Sequence, residues 1–323
     1  MIAGPRRRAA AWAAVALLAL AAIGGLLWHE RATPYTVVSL TFDDGFATQW
    51  NARRLLDAHG YHGTFYINSA RLGTARRLTA GQVSALAASG HEIAGHTLDH
   101  VDLPTVGRAA RLREICRDRI ALGRILGTAP TSFAYPYGAS QPDVERDVAA
   151  CGYNSARTVG GLRPESGTCD GCPFAERTTP ADPLRIRSDT SFVATTPIEY
   201  AQAQIEGAQR TGGGWVPLVF HEVCDGCSKL AITPRHLDQL LDWMAARGVR
   251  VETVQQVVGG AAKPAVTELA AARLTGTASA ALAGGSGADQ GWPAIRWALL
   301  GGVAVLFLFP VGGLAVLRAA GRW

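Results

Sequence analysis

The sequence predicts an α/β fold in which a parallel sheet winds into a (β/α) barrel, with a transmembrane helix before it and another after it. Three observations predict this. From 35 to 258, short apolar runs alternate with longer helical segments, the pattern of strand-helix units whose strands run parallel. The number of such units favours closure into a barrel over an open sheet. Uncharged runs at 9–28 and 297–317 are each long enough, at the helical rise per residue, to cross a bilayer's hydrocarbon core.

Taken in order, the first strand is the run 36–40, whose Val37-Val38-Ser39-Leu40 reads as buried. A helix follows at 49–59, then a strand at 64–68, a helix at 79–89 and a strand at 92–94. The long helix at 109–126 leads to a strand at 132–134, a helix at 142–150 and strands at 154–157 and 184–186. A helix at 197–210, a strand at 217–220, a helix at 234–247 and a strand at 250–252 complete the domain. No internal repeat appears. Gly212-Gly213-Gly214 lacks the following Lys-Ser or Lys-Thr of a phosphate-cradling loop.

The flanks set the topology. Arg6-Arg7-Arg8 precede the first apolar run, and Arg296, Arg318 and Arg322 bracket the second. Basic flanks stay in the cytoplasm, so both termini are expected inside and everything between them outside. A cleavable signal peptide is the rival reading of 1–34. Against it stand the length of the run and the lack of a small-x-small site before His29-Glu30-Arg31. Pro310 and the glycines of the second run are tolerated in a membrane span but costly in a soluble helix. The expected plan is a basic tail and anchor at 1–34, a globular domain at 35–258, an Ala/Gly-rich linker at 259–292 and a span with a short basic tail at 293–323. The expected location is the cell membrane, with the domain on the extracellular face. The net charge of +5 does not indicate nucleic acid, because several arginines flank the spans and no basic run with interleaved aromatics lies between them. No obligate protein partner is indicated.

The chemistry gathers at strand ends. Thr41-Phe42-Asp43-Asp44-Gly45 sets two carboxylates side by side at the end of the first strand. If the strand continues to Asp43, the two leave on opposite sides and can take different tasks. Alone, Asp-Asp-Gly is more often an exposed turn. Downstream, however, His96 and His100 stand four apart, the separation that aims two imidazoles at one ion from a helical turn. A divalent metal held by Asp44, His96 and His100 keeps positions open for water and a substrate carbonyl. Asp43 would deprotonate that water, and His221, at the end of the strand 217–220, has the ordinary proton affinity to protonate a departing nitrogen. His91-Glu92 followed by His96 misses the helical spacing of a zinc protease, so that reading is rejected.

Across nearly the whole central domain these residues resemble the polysaccharide deacetylase family, the NodB-homology domain of carbohydrate esterase family four. Thr41-Phe42-Asp43-Asp44-Gly45 is similar to the family's first motif, and His96-Thr97-Leu98-Asp99-His100 to its second. Tyr135-Pro136-Tyr137-Gly138 resembles the third, and Leu218-Val219-Phe220-His221 the last. The resemblance implies a distorted or incomplete barrel. It also implies Asp43 as base, Asp44 with His96 and His100 as metal ligands, His221 as acid, and the backbone N–H of Tyr137 as an oxyanion donor. Tyr137, Leu218 and Trp215 are the expected substrate contacts, with Phe46 a further stacking platform. The implied substrate is an acetylated polysaccharide, losing N-acetyl groups from peptidoglycan or a chitin-like glycan. The alternatives are an acetyl-xylan or other O-acetyl esterase, or a catalytically degenerate glycan-binding module. Zinc is the default metal for two imidazoles and a carboxylate; cobalt, nickel and manganese also suit them.

One position departs from the family: the arginine that begins the third motif, and holds the base carboxylate, is Ala134 here. Arg185 and Arg187 are candidates to replace it, and Asp189 to replace the aspartate of an unrecognised fourth motif. The six cysteines are even in number, which outside the cell suggests disulfides. Cys116 with Cys151 is the natural pair. Cys169-Asp170-Gly171-Cys172 and Cys224-Asp225-Gly226-Cys227 repeat one tetrapeptide, which could be bridged to each other across two rim loops or hold a four-thiolate zinc.

Overall fold

The computed structural model describes residues 35–163 and 171–264, with the single positions 169, 270 and 273, all in one compact unit. The apolar runs 9–28 and 297–317, and most of the linker at 259–292, lie outside the described residues. No helix among the described residues is long and apolar enough to cross a membrane.

Strand β1 (Thr36–Phe42) is the spine of the sheet. It is buried along its whole length because both of its faces are covered. Val38, Leu40 and Phe42 pack outward under helices, with Leu56, Val83, Leu86, Ile205, Leu237 and Met244. Val37 faces the other way, into a cluster with Tyr66, Ala94, Ala134, Ile186 and Trp215 inside the curled sheet. This alternation is the period-two signature of a strand.

The elements follow the predicted order. After β1 come α1 (Gln49–Ala58), β2 (Thr64–Ile67), α2 (Ala80–Ala88), β3 (Glu92–Gly95), α3 (Arg108–Leu126), β4 (Ser132–Ala134) and α4 (Pro142–Ala150). Then come β5 (Ser155–Gly161), β6 (Ile186–Ser188), α5 (Ile198–Arg210), β7 (Gly214–Phe220), β8 (Glu222–Val223), β9 (Ala231–Ile232), α6 (Pro234–Ala246), β10 (Arg250–Val251) and α7 (Val254–Val258). The main sheet is parallel, ordered β6-β5-β4-β3-β2-β1, with β7 beside β1 in register from Thr36↔Gly214 to Phe42↔Phe220. β10 pairs with the start of β1 and β2 with its end.

The ring closes without a full strand. Past β6, Asp189 N–H donates to the Pro217 carbonyl at 3.0 Å and Phe192 N–H to that of Val219 at 2.9 Å. The expected incomplete (β/α) barrel is therefore a curled half-barrel whose last gap is bridged by single backbone bonds. The strand expected at 184–186 begins instead at Ile186, because Asp182 accepts the N–H groups of Leu184 and Arg185 and holds that stretch in a turn. The pair β8 and β9 and the short α7 carry too few residues for a periodic signal.

Candidate active site

Asp43 and Asp44 follow β1 at the carboxyl end of the sheet, but alternation along an extended strand does not separate them. The strand stops at Phe42, and Asp44 sits in the left-handed region at φ +77°, followed by Gly45 at φ +61°. That backbone is unfavourable for a residue with a Cβ, though least so for Asp and Asn. It swings the Asp44 carboxylate toward β3 and leaves that of Asp43 over the interior.

His96 and His100 likewise owe their convergence to a turn and not to the helical turn expected. β3 ends at Gly95, and Thr97 and His100 are both left-handed, at φ +68° and +61°. The loop is braced from below. Asn68 donates to the carbonyls of His96 and Thr97, and Asp118 on α3 accepts the N–H groups of His96 at 3.1 Å and Ser69 at 2.9 Å. One turn earlier on α3, Glu114 accepts the N–H of Asp99 at 3.0 Å. Gly95 is needed here, since a Cβ would lie 2.0 Å from the Tyr153 hydroxyl. Burial pushes the Asp118 carboxyl up to about 7, against the pull of the N–H groups it accepts.

Asp44 Oδ1 lies 3.4 Å from His96 Nε2 and 3.1 Å from His100 Nε2. It is buried, yet takes no hydrogen bond from a donor among the described residues. His96 donates from Nδ1 to the Ala134 carbonyl at 2.7 Å, which fixes the tautomer and leaves Nε2 as a lone-pair donor. Burial raises the Asp44 carboxyl, but the imidazoles of His100 and His96 outweigh it and hold the group far below the usual range. Burial lowers His96, and Asp44 and Asp43 more than reverse that. One carboxylate oxygen and two imidazole nitrogens within 4.8 Å of one another thus ask for a positive charge, and a divalent cation fits them.

Asp43 is held differently. Its N–H donates to the Phe220 carbonyl at 2.9 Å, and its carboxylate is ion-paired with Arg157 Nη2, both side chains fully enclosed. Arg157 stands on β5, stacked 4.8 Å over the Tyr66 ring, and is the register partner of Ala134 on β4. The missing guanidinium has been supplied from the next strand. Sequence reasoning missed it, since β5 reads Ser-Ala-Arg-Thr-Val-Gly-Gly and an arginine in so polar a segment does not announce its burial. The expected replacements are engaged elsewhere: Arg185 with Glu145 at 2.6 Å and Arg187 with Glu176 at 2.8 Å. Burial raises the Asp43 carboxyl, but Arg157 first, then His96 and His221, hold it below its ordinary value.

His221 follows β7 across the site. Gln49, at the start of α1, donates from Nε2 to the carbonyls of both Asp43 (2.5 Å) and His221 (3.0 Å), tying the two loops together. Burial lowers the proton affinity of His221, although Asp43 and Asp44 oppose this. Its Nδ1 is buried without a partner among the described residues, and Asp189 does not serve it. Asp189 Oδ1 instead accepts the Tyr200 hydroxyl at 2.8 Å and the Thr190 N–H at 2.7 Å. Tyr137 sits left-handed at φ +60°, the residue 69% exposed and its ring edge-on to His100 at 4.6 Å.

Two expected substrate contacts are corrected. Trp215 is fully buried at the start of β7 and donates from Nε1 to Ser39 Oγ at 2.8 Å, so no sugar reaches it. Leu218 is fully buried on the outward face of β7, under the helices. Phe46 is half-buried beneath the Arg77 guanidinium, 4.0 Å from its ring centre. The cysteines pair as Cys116–Cys151, between α3 and the end of α4, and within each tetrapeptide as Cys169–Cys172 and Cys224–Cys227. Neither a bridge between the tetrapeptides nor a four-thiolate site forms among the described residues.

Residues 30–156 match the family model described as polysaccharide deacetylase. The match takes in Asp43, Asp44, His96, His100 and Tyr137 and stops before Arg157 and His221. A chitin deacetylase of Pestalotiopsis sp is 33% identical over 117 residues, which is 36% of this chain and 39% of that protein. A probable peptidoglycan-N-acetylglucosamine deacetylase of Arthroderma benhamiae is 33% identical over 119 residues, 36% of this chain and 27% of that protein. The chain therefore spans well under half the length of these relatives. Among solved structures, a peptidoglycan N-acetylglucosamine deacetylase bound to an N-hydroxybenzamide superposes with a TM-score of 0.50, covering 72% of this chain and 92% of that one. At 15% identity this is likeness of fold.

Proposed function

We propose that the chain, whose residues 30–156 match the polysaccharide deacetylase family model, is a metal-dependent hydrolase removing N-acetyl groups from amino-sugar polymers. The observation that carries this reading is the buried, unbonded Asp44 Oδ1 facing the Nε2 atoms of His96 and His100. A divalent cation on these three residues supplies Lewis acidity, which makes water nucleophilic at neutral pH and polarises an acyl carbonyl.

The remaining steps fall to the chain's own side chains. Asp43, kept ionised and oriented by Arg157, takes the proton from the attacking water as oxygen joins the acetyl carbon. The N–H of Tyr137, which has no acceptor among the described residues, is available to the oxyanion. His221 then protonates the sugar nitrogen as the carbon-nitrogen bond breaks, leaving acetate and a free amine. Its lowered proton affinity makes its protonated form a stronger acid but a scarcer one. That same feature favours a second reading, O-acetyl ester hydrolysis, since an alkoxide leaving group depends less on the acid.

We carry the two apolar segments at 9–28 and 297–317 into the reading as membrane anchors, with the enzyme acting on wall glycan outside the cell. The test is acetate release by the full chain from N-acetylglucosamine oligomers, peptidoglycan and acetylated xylan, with and without chelator, beside Asp43→Asn. Chelator-sensitive release from the amides, abolished by the substitution, is the expected result. Release from xylan alone selects the ester reading, and binding without turnover refutes both.

A further inference from the structure

Beside the proposed deacetylase site lies a cleft that the reaction does not use. It has a volume of about 390 Å³ and is lined by Phe46, Arg76, Arg77, Glu222, Lys229 and Leu230. Its walls continue those of the site: Phe46 lies two residues past Asp44, and Glu222 directly follows His221. Arg77 donates from Nη1 to the Asp44 carbonyl itself. The segment carrying Arg76 and Arg77 is pinned to the first loop by Ala47 N–H to the Arg76 carbonyl and Leu78 N–H to that of Gly45, both 2.9 Å.

The charges of this cleft do not balance. Arg76, Arg77 and Lys229 line it, against Glu222 as the one carboxylate among the described lining residues. Glu222 is 2% exposed in its side chain and is paired with a single nitrogen of Arg76, Nη2, at 3.0 Å. Nε and Nη1 of that guanidinium take no partner among the described residues. The Lys229 ammonium is exposed and pairs with no carboxylate among them. Arg76 also occupies a left-handed backbone at φ +63°, an unfavourable position for a long side chain on an exposed loop.

We propose that this cleft is a subsite for a carboxylate carried by the glycan, so that the chain acts on an acidic N-acetylated polymer in preference to a neutral one. The inference rests on the deacetylase reading and names its substrate class. The unpartnered N–H groups on Nε and Nη1 of Arg76 and the free Lys229 ammonium can each make a charge-assisted hydrogen bond to a carboxylate, whereas a neutral glycan offers the excess cations only hydroxyls and amides. The carboxylate can sit on the sugar, as a lactyl ether, or on a peptide attached to it.

The test compares peptidoglycan strands stripped of peptide in two forms, with carboxyls free or converted to primary amides, and adds intact peptidoglycan as a third substrate. The free acid is expected to show kcat/KM about five- to tenfold above the amide, the size of one or two charge-assisted contacts at a half-exposed rim. Raising the salt should shrink the ratio. In Arg76→Gln it should fall toward one. Because that change strips Glu222 of its partner, Lys229→Gln, whose ammonium holds no carboxylate, is the second variant and should lower the ratio as well. Preference for intact peptidoglycan alone assigns the carboxylate to the peptide. A ratio within twofold of one in the wild type with no preference for intact peptidoglycan, or a preference unmoved in both variants, overturns the proposal.

A binding arm separates this inference from the catalytic reading. Calorimetric titration with N-acetylmuramic acid and with N-acetylglucosamine should give a Kd about fivefold lower for the acid even if no acetate is released. Equal affinities, with intact peptidoglycan binding no more tightly than the stripped and amidated strands, refute the subsite whatever the turnover.

Discussion

Replacing Arg157 tests how this site keeps its base. The guanidinium and the Asp43 carboxylate are 1% and 4% exposed, so deleting one leaves the other charge buried and unpaired. Breaking such a pair costs about 3–5 kcal/mol of stability, a large part of the 5–15 kcal/mol of an ordinary domain. In Arg157→Ala the carboxyl loses the largest of the influences opposing burial, so its proton affinity rises. The sign follows. In the native protein the depressed carboxyl contributes stability above its unfolded value, about 4, and loses it as pH falls through the folded one; in the variant that contribution disappears. Since a positioned base is worth about 10²–10⁴ in rate, kcat should drop at least a hundredfold with KM little changed, and the acid limb of kcat/KM should move to higher pH. Arg157→Lys keeps the charge without the planar fork and should fold better while recovering part of kcat. Because Ala134 is the register partner of Arg157, Ala134→Arg in the Arg157→Ala background should restore activity above the single variant. Steady-state kinetics with urea unfolding at each pH provide the assay. If Arg157→Ala, shown to be folded, keeps kcat within threefold of the wild type with an unmoved acid limb, the reasoning is wrong.

Three further outcomes are expected. Burial pushes the Asp189 carboxyl up to about 7, so between about pH 4 and 7 the folded chain holds a proton the unfolded chain has released. Stability should fall as pH rises through that window, by about 1.4 kcal/mol per unit from this group, with Asp118 contributing alike, and Asp189→Asn should remove about half of their joint slope in urea midpoints measured from pH 4 to 8. Replacing Cys116 and Cys151 together by alanine removes a cross-link between residues 35 apart, and thermal melts should report a loss of about 4 kcal/mol. Zinc added back to chelated protein at a hundredfold excess over its Kd should stabilise the fold by about 2.7 kcal/mol, an effect that His100→Ala should largely abolish in the same melting assay.

Which of these residues could be read from the sequence follows from how each is placed. Asp43, Asp44, His96, His100 and His221 stand at the ends of apolar runs, where strand and turn signals are local, so their convergence at one end of a parallel sheet could be expected. The spacing of the histidines was right for the wrong reason. Separation by four brings two rings together on a helix, but here two left-handed residues do it, and Thr97 is not a residue that announces such a turn. Arg157 was hidden because its relation to Ala134 is a register, set by which strands become neighbours and how far each slides. The failure at Trp215 is different, since parity along β7 could have corrected it. His221 must point into the ring to serve the site, and positions an even number before it share that side if the strand stays regular. Trp215 is therefore interior, and its indole N–H is met by Ser39 across the register pair Val37↔Trp215 and its neighbours. Leu218, at odd separation, faces the helices. The same parity leaves the rim as the place where the proposed glycan would meet the protein, and there the exposed ring of Tyr137 and the cations of the Arg76 segment are supplied by loops, whose shape no strand period encodes.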